Sequence, residues 1–472
     1  MRRLLNFAVF VAVMSVTLPA EIQARIVKGK VTCGNENISQ VIVTDGTNFT
    51  RTKKDGTFKM GITDTARFVY IITPSGFCAD WSSGSPEFYQ KAQGKEYFSF
   101  DLIKTGEDYS KYNIIAIADP QPSKEEHCVE YRGAPLQDVS QTISALDGPT
   151  VGVVLGDICD VYHLLENWKE SVKNEKIPFY TIPGNHDHDK KILNDKESLI
   201  HYNKLFGPEF YAFFMGDDLV IMLDNIIQGR KSGRNRYTPG YTDEVVSWVR
   251  KLMKHIPKDT HIYVCHHSPL SGRNKDLSFI YNGQKLVDVL KGHRINFISG
   301  HNHANYNFRY GDITEHSVAA LCGTWWDAYH CTDGTPRGYK VYTKEGEDLT
   351  WYYKSVGKDK SFQYEIFRPG ECSQNPDKWV LNVWDIDHEW RVEWMEDSKP
   401  MGQMKKVKEY NPLHIDEINA TFEKIGKPVT NWKKTKLSKH YFAASPSAEA
   451  KSITFIIKSS FGDVWSETIQ LQ

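Results

Sequence analysis

The sequence predicts a layered α/β (α+β) core, with β-sheets flanked by helices, set between an N-terminal and a C-terminal β-sandwich domain. Three observations carry this. The 472 residues exceed what a single core supports and, at about 150 residues per domain, suggest roughly three domains. From about position 109 to 345, apolar strand-like runs alternate with helical segments, the pattern of an α/β layer fold. Before and after that stretch, short β-rich pieces follow one another between turn residues.

Taken in order, residues 1–24 read as a secretory signal. A basic tip, Arg2-Arg3, precedes an apolar stretch shorter than the roughly 18 residues a spanning helix needs. No cysteine lies close behind it, which argues against a lipid-modified terminus, and no later segment is long and apolar enough to cross a bilayer. The mature chain is therefore expected to be secreted or periplasmic, with no integral membrane segment once the signal is cleaved. Residues 26–105 form the first sandwich: Gln40-Val-Ile-Val-Thr44 and Arg67-Phe-Val-Tyr-Ile-Ile72 alternate with turns at Asp45-Gly46 and Asp55-Gly56, and the expected arrangement is antiparallel. In the core, 109–345, the strands are 114–118, 151–155, 179–182, 220–223, 262–265 and 297–298. Val245, Val246, Trp248, Val249, Leu252, Met253 and Ile256 recur at helical spacing, so Thr242–His255 is an amphipathic helix with Thr242 as its cap. Residues 354–472 form the last domain, from runs such as Lys378-Trp-Val-Leu-Asn-Val-Trp384 and Ser452-Ile-Thr-Phe-Ile-Ile457. Its tryptophans fit a core; a sugar-stacking face is the alternative.

Lysine plus arginine (58) balance aspartate plus glutamate (59), and no extended basic stripe is interleaved with aromatics. Nucleic acid is therefore not expected as a partner, which weighs against a nuclease. Export makes disulfides feasible, and Cys33–Cys78 and Cys322–Cys331 are the expected candidates. Cys159 and Cys265 adjoin strand ends, where small buried thiols pack.

The strand-like runs end on metal-binding residue types: Asp119-Pro-Gln121, Gly156-Asp157, Gly184-Asn185-His186-Asp187, His267-Ser-Pro269 and Gly300-His301-Asn302-His303. In open α/β sheets ligands bind beyond the carboxyl ends of strands, so these distant residues are placed to converge. Hydrolysis of a phosphate ester needs a water made nucleophilic near neutral pH and charge stabilisation for the attacking and leaving oxygens. Two metal ions roughly 3.5–4 Å apart supply both. A bridging carboxylate with oxygen and imidazole ligands around it would hold them.

This series resembles that of the calcineurin-like metallophosphoesterases, the superfamily of purple acid phosphatases and protein serine/threonine phosphatases. The N-terminal pattern of Gly29-Lys-Val31, Val41–Gly46 and Thr52–Phe58 resembles transthyretin-like or carboxypeptidase-regulatory β-domains. Together with the segment Cys322–Tyr339, the flanking domains are similar to a secreted three-domain branch known mainly from Bacteroidetes-type bacteria. The resemblance implies that Asp157 bridges two divalent or trivalent ions (Mn, Fe or Zn). Asp119 and His303 would complete one site, and Asn185, His267 and His301 the other. His186 would assist the leaving group, and Asp187 would fix its tautomer. The family spacing selects His267 over His266, which strand alternation turns to the opposite face. Where the family usually has histidine, this chain has Gln121, whose amide oxygen either ligates a hard ion or bonds to metal-bound water; some branches share this Asp-Pro-Gln. Asp160 either orients a histidine or caps a turn.

The expected function is an exported phosphatase or phosphodiesterase in which a metal-activated hydroxide attacks a small phosphorylated substrate or a phosphorylated glycan, lipid or peptide. The alternative is a non-catalytic secreted glycan-binding or adhesion protein with a degenerate central domain. The loop Gln228–Tyr237 is either a solvated turn or an arginine clamp for phosphate. Trp325, Trp326 and Tyr329 either wall the pocket or pack in the core.

Overall fold

The computed structural model describes residues 25–105, 108–229, 236–271, 279–311 and 313–471. The expected signal and positions 230–235 of the basic loop lie outside the described residues.

Eleven central strands build the core. They are β1 (Lys111–Ile117), β2 (Thr150–Leu155), β3 (Phe179–Ile182), β4 (Phe210–Met215), β5 (Asp218–Leu223) and β6 (His261–His266). Then come β7 (Arg294–Ser299), β8 (Tyr306–Tyr310), β9 (Ile313–Ser317), β10 (Gly338–Glu345) and β11 (Asp348–Ser355). One sheet has the order β3-β2-β1-β10-β11, parallel across its first three strands and antiparallel beyond. The other has the order β4-β5-β6-β7-β9-β8, parallel from β5 to β9 with an antiparallel strand at each edge. Because β11 belongs to the first sheet, that sheet runs past position 345, where the sequence suggests the core ends.

Side-chain alternation sets the layers. On β1, Tyr112, Ile114 and Ala116 join the apolar cluster shared with the second sheet. Ile115 and Ile117 point the other way, onto Tyr131, Leu136 and Trp168 of the outer helices. The amphipathic helix forms over Asp243–Leu252 and continues as a 3₁₀ turn to His255. Thr242 caps it, its hydroxyl accepting from the Val245 amide at 3.2 Å, a contact of a kind that contributes about 1 kcal/mol. Val245, Val246, Trp248, Val249 and Leu252 are its buried face.

The N-terminal domain pairs two four-stranded sheets. They are not wholly antiparallel: Tyr97–Asp101 returns beside Arg25–Cys33 in the same direction. The C-terminal domain has two antiparallel four-stranded sheets. It also carries a helix, Pro412–Lys424, capped by Asn411, which the strand-dominated sequence pattern did not suggest. Trp379, Trp384 and Trp390 are buried, so they serve as core rather than as a sugar-stacking face. This domain is tied to the centre by a fully buried ion pair, Lys340 Nζ to Asp385 Oδ1 at 2.7 Å. The amides of Asn305 and Asn307 donate to the same carboxylate.

The expected Cys33–Cys78 and Cys322–Cys331 bridges do not form: none of the eight cysteines is joined in a disulfide. Cys78 Sγ donates to the Ile103 carbonyl at 3.7 Å, Cys322 Sγ to the Gly323 carbonyl at 3.6 Å, and Cys331 Sγ to the Ala320 carbonyl at 3.8 Å. Cys159 and Cys265 are buried in the apolar clusters.

Candidate metal centre

Parallel β1, β2, β3, β6 and β7 deliver the five motifs to one end of the facing sheets. Each chain reverses tightly there, and Asp119 (φ 48°), Gln121 (41°), Asp157 (48°), His301 (70°) and His303 (46°) all adopt left-handed backbone. Such conformations cost about 1–3 kcal/mol each and cluster where function holds them. Gly184 is required for a different reason: a Cβ there would lie 2.3 Å from both the amide nitrogen and Oδ1 of Asp157. Gly184→Ala should destabilise the fold by about 1–3 kcal/mol, as overpacking does. Denaturant unfolding would measure it, and an unchanged midpoint would contradict this close approach.

His267 donates through Nδ1 to the Leu155 carbonyl (2.8 Å), which turns Nε2 inward. Around Nε2 lie Asn185 Oδ1 at 3.1 Å, His301 Nδ1 at 3.0 Å and Asp157 Oδ2 at 3.3 Å. Asp157, His267 and His301 each offer a ligand atom, all within 4.8 Å of one another. A second group repeats the design. His303 donates through Nδ1 to the Gly323 carbonyl (2.9 Å), leaving Nε2 facing Gln121 Oε1 at 3.0 Å and Asp119 Oδ1 at 3.6 Å. Asp119 Oδ1 is buried without a hydrogen-bond partner.

In both groups a backbone carbonyl takes the Nδ1 proton, so that once Nε2 is deprotonated lone pairs face lone pairs. That arrangement is unfavourable among neutral acceptors and fits a cation between them. The electrostatics agree. Burial, aided by the Asp157 charge and opposed by His267, pushes the Asp119 carboxyl up to about 7. Burial also opposes the Asp157 charge, yet the His267 and His186 imidazoles hold that carboxyl far below the usual range. Among the protein groups alone, His267 rises to about 9: burial works against its charge, but Asp157 outweighs it. Burial and the His267 charge lower His301 to about 3, and burial lowers His303 to about 4. The neighbouring His266 lies on the other side of the strand, bonded through Nδ1 to the Tyr241 hydroxyl at 2.7 Å.

The role expected for Asp187 is corrected. Its carboxylate accepts the backbone amides of Gly184 (2.8 Å), Ile158 (3.1 Å) and Cys159 (3.2 Å), clamping the Asp157 turn to the Asn185 turn. The His186 ring is instead held by Asp160, which contacts Nδ1, while Lys190 Nζ approaches the same nitrogen at 2.9 Å. One nitrogen cannot serve both partners: protonated, it donates to Asp160; unprotonated, it accepts from Lys190. His186 Nε2 is left facing the metal group, 4.0 Å from Asp157 Oδ2. Burial opposes the imidazolium, but the Asp157 charge and the Asp160 bond prevail, so the His186 pKa is raised.

The cluster lies at the base of an open cleft of about 1210 Å³. Trp325 stacks on the His303 ring at a centroid distance of 4.1 Å and lines the cleft. Trp326 instead packs against the apolar core, its indole N–H donating to the Pro120 carbonyl at 3.0 Å. Tyr329 is exposed beneath Arg337. Of the basic loop, Gln228, Arg236 and Tyr237 line the cleft. Sequence reading missed Lys124, Lys190, Trp432 and Lys433, which line it too. Lys190 sits four residues beyond His186 and was discoverable; nothing local marks the other three.

Comparison with known proteins follows the same outline. Family models described as the N terminal of calcineurin-like phosphoesterase, calcineurin-like phosphoesterase, and the C terminal of calcineurin-like phosphoesterase match residues 25–105, 112–305 and 315–465. A probable glycerophosphodiester phosphodiesterase, GpdQ of Arcobacter nitrofigilis, is 27% identical over 150 residues, which are 30% of this chain and 51% of that protein. The chain thus spans about half the length of this curated relative. Among solved structures, the Plasmodium inner-membrane-complex anchor GAP50 is 15% identical with a TM-score of 0.35, over 52% of this chain and 85% of its own. A putative 5'-nucleotidase of Staphylococcus aureus is 14% identical with a TM-score of 0.35, over 53% and 55%. With all three family models matched in order along the sequence, the chain belongs to the calcineurin-like phosphoesterases, a family of phosphoric ester hydrolases.

Proposed function

We propose that the chain is an exported hydrolase of phosphomonoesters or phosphodiesters that works with two metal ions. The observation that carries this reading is the convergence of ligand-type atoms on two points, with the buried Asp119 Oδ1 lacking a hydrogen bond 3.6 Å from His303 Nε2. Asp119, Gln121 and His303 would hold one ion, Asn185, His267 and His301 the other, and Asp157 would touch both. Mixed amide, carboxylate and imidazole donors suit Mn, Fe or Zn. When bound, the ions supply charge stabilisation for the phosphoryl oxygens and acidify the attacking water.

The remaining work falls to the chain. His186, oriented by Asp160, holds a proton at Nε2 for the departing oxygen. Arg236 and Lys124 at the cleft rim offer charge to a phosphate. The name of the Arcobacter relative supports a diester among the substrates. Export rests on the signal-like pattern of residues 1–24. Among the described residues, no helix is long and apolar enough to cross a membrane.

Metal titration tests the centre. His267 carries a proton below about 9 among the protein groups alone, and a cation binding at Nε2 must expel it. Proton release is therefore expected at neutral pH, with apparent affinity rising as pH increases toward 9. Calorimetry in buffers of different ionisation enthalpy would show it; heats independent of buffer would count against ligation by His267. Assay of the loaded protein on aryl phosphate mono- and diesters completes the test. Absence of both bound metal and turnover would favour the glycan-binding alternative.

A further inference from the structure

We propose that the C-terminal domain completes the substrate cleft, and that Trp432 seats a flat ring carried by the organic part of the phosphoester. This rests on the phosphoesterase reading above, whose substrate class it narrows. Trp432 sits in the 3₁₀ turn Asn431–Lys433, is 54% exposed, and lines the same cleft as Asn185, His186 and His301.

Single exposed apolar residues are ordinary, but this one is held in place without being packed. Next to it, the Lys433 ammonium pairs with the Asp327 carboxylate, two residues from Trp325, which stacks on His303. Three residues further along, the Lys436 amide donates to the Thr332 carbonyl at 2.7 Å. The central domain thus grips the chain at the first and fourth residues after the indole, which keeps its position relative to the metal cluster while its own face stays open. A cleft of about 1210 Å³ is also far larger than a phosphate group requires. An indole face on a rigid support binds flat rings by stacking, and its removal costs at least fivefold per ring in comparable sites. Aromatic rings and the apolar faces of sugars share that chemistry.

The test uses the full chain loaded with manganese, titrated calorimetrically with phenylphosphonate, methylphosphonate and glucose 1-phosphate. Phenylphosphonate should bind at least about fivefold more tightly than methylphosphonate. Trp432→Ala should abolish that preference and Trp432→Phe retain it, while methylphosphonate affinity stays constant across the three proteins. A parallel loss for glucose 1-phosphate identifies sugars as accepted rings; its absence restricts the site to aromatic ones. Equal affinity for the two phosphonates, no binding of either, or a preference that survives Trp432→Ala overturns the proposal. Failure of the underlying reading looks different: no turnover of any aryl ester by the loaded wild-type chain, with ring-dependent binding intact.

Discussion

Asp157→Asn should lower phosphoesterase turnover by about a thousandfold or more, equivalent to about 4 kcal/mol. Both oxygens of this carboxylate are engaged at the centre of the site: Oδ2 lies 3.3 Å from His267 Nε2, and Oδ1 accepts the His186 amide at 2.8 Å. The backbone carbonyl of Asp157 also receives the Gln121 amide at 3.0 Å. An amide in place of the carboxylate removes the charge that both groups of acceptors surround, so metal content should fall along with activity. Equilibrium dialysis beside a steady-state assay would separate the two losses. Full metal occupancy with normal turnover in Asp157→Asn would remove the carboxylate from the centre of the site.

His186→Ala should cost roughly a hundredfold to ten-thousandfold in turnover, the usual range for a positioned acid, while metal content stays at the wild-type level. Its raised pKa fixes the direction of the pH dependence. A proton donor works below its pKa and fails as pH rises through it, so the His186 contribution should appear as an alkaline limb in the rate profile. The Asp157 charge and the Asp160 bond raise that pKa against burial and Lys190. Asp160→Asn removes one support and should move the limb to lower pH without altering metal content. Undiminished activity in His186→Ala, or a limb unmoved in Asp160→Asn, would show that the proton comes from elsewhere.

The ligand-type residues were legible because each follows a strand, and strands announce themselves as short apolar runs. Asp119, Asp157, Asn185, His267, His301 and His303 meet because parallel strands share one exit. Gln121, ambiguous in sequence, faces His303 Nε2. Second-layer roles were harder to read. Asp187 and Asp160 are both acidic residues near His186 in the sequence, and only the path of the turns reveals that one clamps backbone while the other holds the ring. The Trp432 wall was invisible for another reason: its supports, Asp327 and Thr332, lie about a hundred positions earlier. The parallel return of Tyr97–Asp101 likewise depends on topology rather than local pattern.

The Lys340–Asp385 pair has a bearing on heredity. Neither charge reaches water, and a buried ion stripped of its partner costs about 3–5 kcal/mol. A lineage that traded its last domain for a foreign one would strand a lysine inside the catalytic half. An exchange of the last domain that leaves Lys340 in place without a carboxylate at the position of Asp385 should therefore carry that penalty, which replacing both residues together would avoid.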